Sequence, residues 1–312
     1  MLWCAIIPTS MVVSEPIQIL AALSSSLSPA RTTTIQMLSY AEVVCGRYVI
    51  SLNTAMSCAD AHQDPNAATD ASCGRINPLA TDPKWEMDSM PQGRGGIEGT
   101  LLPDGTVLWL NGANLGAQGF QQASRPTLQA LLYTPDKPLG QRWSTLASST
   151  IPRLYHSVAL LLLDGTVMVA GSNPVEQPKD VPDAQDPFVT EWRVENFIPP
   201  YLQGEAAIRR PTSIVLSSKN LNAGQTFQVS FDAKGAAQKV SVVLYHGGFV
   251  THSLHMGHRM VNLDLTGFTA GAGRKTIQVN MPPNNNVSPP GPYVVYVLVD
   301  GVPGVGQFVT VA

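Results

Sequence analysis

At 312 residues, with only 13% charged side chains but 26 glycines and 25 prolines, the chain has room for two domains or one large β domain, and its composition is that of a turn-rich β protein. A formal charge of -3, with Lys and Arg scattered along the chain, gives no basic field to draw in nucleic acid and suits a small neutral or anionic substrate. The longest apolar run, Val158 to Leu163, stops at Asp164, well short of the roughly 18 residues of a membrane span, so no membrane partner is expected.

Residues 1–37 hold no convincing periodic element and read as a poorly defined leader. The first thirty are apolar and then Ser-rich, but they lack a basic start and are interrupted by Pro8, Ser10, Ser14, Glu15 and Pro16, which leaves a signal peptide open. Cys4, Cys45, Cys58 and Cys73 all lie in the first quarter. The last three are close enough for one loop-closing disulfide, free buried thiols are the alternative, and their spacing is not that of a zinc site.

From 38 to 204 a repeat emerges. Leu101-Leu102-Pro103-Asp104-Gly105-Thr106-Val107 and Leu161-Leu162-Leu163-Asp164-Gly165-Thr166-Val167 are near-duplicates, each with an apolar run before Asp-Gly and a β-branched run after it. Each predicts a hairpin turning at Asp-Gly, in a type I′ turn with positive φ at both central residues. The second strands end in glycine, at Gly112 and Gly171, and Ala41 to Gly46 looks like the matching strand of an earlier unit. Strand, tight turn, strand and glycine is the pattern of kelch-type propeller blades. About three blades can be counted, fewer than the four to eight that close a propeller.

Composition changes near Pro199-Pro200 and Arg209-Arg210-Pro211. From 205 to 312, Phe227-Val229-Phe231, Val240-Val242-Leu244, Ile277-Val279 and Tyr293-Val295-Val297-Val299 each place apolar residues on one face at period two, with Gly-, Pro- and Asn-rich turns between them. This predicts a compact immunoglobulin-like β-sandwich. The fold class is therefore all-β, a partial propeller followed by a sandwich.

No phosphate loop, nucleophile elbow or His-Glu-x-x-His motif is present. The histidines stand out: of six, four lie at His246, His252, His255 and His258, flanked by glycines and set on a predicted hairpin. Alone, such a hairpin more often carries solvated or structural histidines than a metal. Tyr155-His156 stands just before an apolar strand, where neighbours point to opposite faces, so a joint site needs a blade's inner rim or a bulge. An isolated Tyr-His pair is more often a buried hydrogen-bonded one than a metal site.

Residues 153–174 (RLYHSVALLLLDGTVMVAGSNP), 245–259 (YHGGFVTHSLHMGHR) and 289–303 (PPGPYVVYVLVDGVP), supported by 85–94 and 112–120, closely resemble the copper radical oxidases, above all the glyoxal oxidases. The resemblance covers about residues 38–312. It implies a seven-bladed kelch propeller, an immunoglobulin-like domain and one copper on the propeller axis, with Tyr155 as axial tyrosinate and catalytic base and His156 and His252 as equatorial imidazoles. It assigns no ligand role to His246, His255 or His258. Imidazole nitrogen with phenolate oxygen suits Cu(II) and leaves a position for substrate.

The resemblance also implies a second tyrosine, cross-linked by a thioether to a cysteine, that carries the other oxidising equivalent. No counterpart aligns here, and neither Tyr40 nor Tyr48 lies in the expected context. Cys45 and Cys73 look like the structural disulfide of the group, with Cys58 as a competing partner for Cys73. The implied activity is oxidation of small aldehydes to acids with reduction of O2 to H2O2, outside the cell and as a monomer. A non-catalytic kelch-plus-sandwich binding module and a galactose-oxidase-like alcohol oxidase are the competing readings.

Overall fold

The computed structural model describes residues 65–77 and 81–312 in full and, before them, Thr34–Gln36, Gly46–Ser51 and Thr54–Cys58 as strands only. The described chain is almost wholly β, with one short helical passage, Pro200–Leu202 followed by Gly204–Ile208, at the change of domain.

Three antiparallel sheets form the blades. The first runs Gly46–Ser51, Thr54–Cys58, Cys73–Ile76, Trp85–Met87; the second joins Glu98–Leu101, Val107–Leu110, Gln129–Tyr133 and Trp143–Ser148; the third joins Val158–Leu161, Val167–Ala170 and Glu195–Phe197. Val107, Leu108 and Trp109 are wholly buried, because this strand is covered on both faces.

The two Asp-Gly hairpins form where expected but with a different turn. Only Gly105 and Gly165 have positive φ, 91° and 84°. Gly105 N–H donates to Leu102 O and Leu102 N–H to Thr106 O, and the 162–166 loop repeats both bonds. These are three-residue loops with glycine in the left-handed position, not type I′ turns. Pro103, whose ring fixes φ near −65°, favours the longer loop in the first of them.

The C-terminal unit is the expected sandwich, its two sides continuous through one shared strand. Thr212–Leu216, Thr226–Ala233 and Gly273–Asn280 form one side, and Val240–His246, Gly291–Val299 and Gln307–Val311 the other. Arg259–Thr266 joins them: its first half pairs with 242–246 and its last three residues with 278–280. Every alternating apolar position predicted for these strands lies in the enclosed core, with Phe231, Val242, Leu244, Val279, Val295 and Val297 fully buried. At about 1.5–3 kcal/mol for each large side chain buried, this face is the main stabilising element of the unit. Thr34–Gln36, inside the stretch read as a leader, adds a strand against 259–261. Three residues without a periodic neighbourhood give no strand signal of their own.

The sandwich's outer face packs on the second blade, where Val243, Tyr245, Met260, Tyr296 and Leu298 share a buried cluster with Leu101, Trp109 and Tyr133. Tyrosines fix the join: Tyr245 Oη donates to Leu101 O at 3.1 Å and Tyr296 Oη to Leu162 O at 2.9 Å, so each capping bond lands beside one of the duplicated hairpins.

Candidate functional site

Tyr155 and His156 are not on a strand. Ser157 N–H donates to Leu154 O at 3.3 Å, closing a β-turn with Tyr155 and His156 at its centre. His156 takes φ 61°, the left-handed conformation that the second central position of type II and I′ turns requires and that a non-glycine residue adopts at a cost. This bend brings both rings to one side, stacked with centroids 3.9 Å apart. On an extended strand they would face apart. The sequence requirement for a rim or bulge is met by a turn.

The turn is clamped from below. Arg153, 1% exposed, donates through Nε and Nη2 to Glu195 Oε2 at 3.0 and 2.9 Å, and through Nη1 to Gly171 O and Nη2 to Arg193 O. Ser172 Oγ accepts from Leu154 N–H and donates to Tyr155 O. Gly171 is required at this point: a Cβ there would lie 2.6 Å from His156 O.

His252 sits on a second turn. Phe249–Thr251 and Leu254–Met256 pair as a hairpin whose two-residue loop is His252-Ser253, with φ 53° and 65°. This is the type I′ turn, formed by residues that leave its usual Asn-Gly preference unmet, and such strain concentrates at functional sites. Ser253 Oγ donates to Gly96 O at 3.0 Å, pinning the tip to the second blade. His252 Nδ1 lies 2.7 Å from Thr251 Oγ1, so with Nδ1–H donating to the hydroxyl, Nε2 presents its lone pair outward.

The two turns meet. His252 is 5.3 Å from His156 and 5.5 Å from Tyr155, centroid to centroid. Phe120, at the end of the arm formed by Ala113–Gly116 and Ala123–Pro126, stands edge-on to Tyr155 at 5.3 Å and to His156 at 5.5 Å. All three site rings are partly exposed. Burial pushes the Tyr155 phenol above its usual value, so by itself it stays protonated at neutral pH. Burial, then the neighbouring His252, lowers His156, against a hydrogen bond with the Asn173 backbone that raises it. His156 is therefore a neutral imidazole near neutral pH, the form that ligates a metal. A cleft of about 380 Å³ opens beside it, floored by Gly171, Ser172 and Asn173.

Tyr155, His156 and His252 are thus brought together from positions about a hundred residues apart. Among the described residues no group of three or more His, Cys, Asp or Glu side chains is set to hold a metal, so any such site here depends on the tyrosine. His246 Nδ1 lies 2.9 Å from Pro292 O, and His255 and His258 turn inward, stacked at 4.6 Å. Tyr245 Oη lies 2.6 Å from His258 Nε2, and burial holds His258 well below the ordinary histidine value. Cys73 is disulfide-bonded, and Cys58 stands opposite it across the ladder. Cys45 lies outside the described residues, as does the side chain of Cys58.

Sequence reasoning assigned no role to Phe120, Glu98 or Arg153. The last was visible in principle, since Arg94 and Arg153 stand seven and eight residues before the two duplicated runs and both are buried.

The chain matches two family profiles, the glyoxal oxidase N-terminus over residues 13–201 and the galactose oxidase-like Early set domain over residues 210–311. It is 37% identical over 251 residues to an aldehyde oxidase of Arabidopsis thaliana, covering 77% of this chain and 39% of that protein. With an aldehyde oxidase of Vitis pseudoreticulata it shares 40% identity over 240 residues, covering 76% and 45% respectively. The chain therefore spans less than half the length of these relatives. In fold it is similar to a fungal alcohol oxidase of the AA5 family solved in complex with copper, with a TM-score of 0.66 at 21% identity over 83% of this chain and 52% of that one.

Proposed function

The chain belongs to the glyoxal oxidase family, and from that premise we propose that it is a copper radical oxidase of glyoxal oxidase type, oxidising small aldehydes, taken as their hydrates, to carboxylic acids while O2 becomes H2O2. The observation that carries the reading is the meeting of Tyr155, His156 and His252 on two left-handed turns, with ring centroids 3.9 to 5.5 Å apart. Two imidazole nitrogens and a phenolic oxygen form a donor set suited to Cu(II), so these three residues would hold the metal. Bound copper supplies a one-electron acceptor and a positive charge beside the phenol.

The chain's own groups account for the rest. Burial keeps the Tyr155 phenol protonated until a cation stands beside it; as phenolate, its oxygen is the base that takes the substrate's proton. His156 stays neutral and is oriented by Asn173. Phe120 walls one side of the ring cluster with an apolar edge.

Oxidation of an aldehyde hydrate to an acid releases two electrons and two protons, enough to convert one O2 to one H2O2. Bound copper would take one of these electrons, and the thioether-linked tyrosine and cysteine of the family would take the second. Cys73 is not that cysteine, because it is disulfide-bonded. A second reading has the chain bind copper without turnover. The main reading has the protein working outside the cell, as a monomer, on a small aldehyde and O2. Among the described residues no helix is long and apolar enough to cross a membrane.

The test is to load the chain with copper and supply glyoxal or methylglyoxal in air. Peroxide release that is lost in His252→Ala supports the oxidase. Copper bound by the same residues without peroxide supports the second reading, and no copper binding refutes both.

A further inference from the structure

The hairpin that carries His252 is short, only Phe249–Thr251 and Leu254–Met256, and an isolated two-stranded ribbon of this kind has little stability of its own. Among the described residues none of its side chains belongs to a buried apolar cluster, and Phe249 is 79% exposed. Hydrophobic burial therefore does not fix it. Its two deeply buried side chains are polar: Ser253, at the tip, and His255.

His255 Nε2 lies 2.9 Å from Glu98 Oε1, and both side chains are excluded from solvent. The approach is off the line of a well-directed hydrogen bond, so imidazole and carboxylate meet as a close contact that becomes an ion pair when the imidazole is protonated. The same oxygen accepts a hydrogen bond of 2.6 Å from Ala159 N–H, three residues after His156. The hairpin strands lie against Glu98–Leu101 and Val158–Leu161, the strands that supply these two partners.

We infer that Glu98, acting through His255, is a positioning residue for the Tyr155, His156 and His252 cluster. One buried carboxylate oxygen ties the strand leading out of the Tyr155-His156 turn to the hairpin that presents His252, and so sets the distance between the two halves of the site. A carboxylate with no water near it is costly to bury, and this placement gives it a task that an apolar residue would not perform. The inference rests on the copper reading above and names two residues that this reading does not use.

The experiment compares the unaltered chain with Glu98→Gln, His255→Asn and His252→Ala, measuring Cu(II) affinity by competition with a chelator, the Cu(II) paramagnetic spectrum, and thermal unfolding without copper. Glu98→Gln and His255→Asn are expected to remain folded, to bind Cu(II) about tenfold or more weakly, as groups behind a metal ligand do, and to show altered hyperfine splitting. Unchanged affinity and spectrum in both, with copper lost in His252→Ala, would overturn the positioning role and leave the copper reading intact. Unchanged copper binding in all three would overturn both. Failure of Glu98→Gln and His255→Asn to fold would assign the pair to the fold and also overturn the inference.

Discussion

Gly171 tests how the Tyr155-His156 turn is held. Its φ is 71°, and a Cβ there would stand 2.6 Å from His156 O and 3.3 Å from Ser157 Cα, closer to a backbone oxygen than any real Cβ comes. Gly224, in a sandwich turn, has φ 70° and nothing within 4 Å of the same atom. The pair is a matched control, since alanine at either position meets the same left-handed strain, about 1–2 kcal/mol, and the same gain from a stiffer unfolded chain. Only Gly171→Ala adds the clash, and forcing a methyl group into packed backbone costs about 1–3 kcal/mol more. Urea unfolding of the two variants should therefore separate by about 1–3 kcal/mol. Relief of the clash pushes His156 away from Gly171, so Cu(II) affinity should fall about tenfold, equivalent to about 1.4 kcal/mol, in Gly171→Ala and stay unchanged in Gly224→Ala. Equal destabilisation of the two, with unaltered copper affinity, would refute the claim that this contact sets the turn.

Two further outcomes concern the join between the units. Tyr245→Phe removes the hydroxyl that donates to Leu101 O and faces His258 Nε2, leaving both buried groups unpaired; unfolding should cost about 2–4 kcal/mol less, at about 1–2 for each, whereas Tyr293→Phe, whose part-buried hydroxyl bonds Pro289 O and Arg259, should change stability by less than half as much. His258 is held well below 6.5 in the fold, so the unfolded chain takes up a proton that the folded chain refuses. Its contribution is complete above pH 6.5 and is lost as pH falls below that value. At pH 5.5 the loss is about 1.4 kcal/mol, read as the part of the difference in urea unfolding free energy, extrapolated to water, between pH 7.5 and 5.5 that disappears in His258→Asn.

Much of the fold was legible because burial imposes period. The alternation Tyr293-Val295-Val297-Val299 can bury one face only as a strand, and the duplicated runs at 101–107 and 161–167 mark two hairpins whatever the turn type. The turn type was not legible, since Asp-Gly serves two-residue and three-residue loops alike and the choice depends on the strand register. The site shows the same division. Tyr155, His156 and His252 were found through their resemblance to a family, but what brings them together is a left-handed backbone at His156, His252 and Ser253. None of these residue types announces that conformation, and tertiary contacts impose it. Glu98 stood in an apolar strand with no periodic signal, and its partner His255 looked like one histidine among four. A buried polar pair joining two domains leaves no trace in the local pattern.

The central claim is that Tyr155, His156 and His252 hold one copper ion together. The Cu(II) paramagnetic spectrum of the chain loaded with one equivalent of copper tests it most directly. The account predicts superhyperfine splitting from two imidazole nitrogens, reduced to one in His252→Ala and in His156→Ala, with a changed g-tensor in Tyr155→Phe. A spectrum that is the same in the parent chain and all three variants would contradict it.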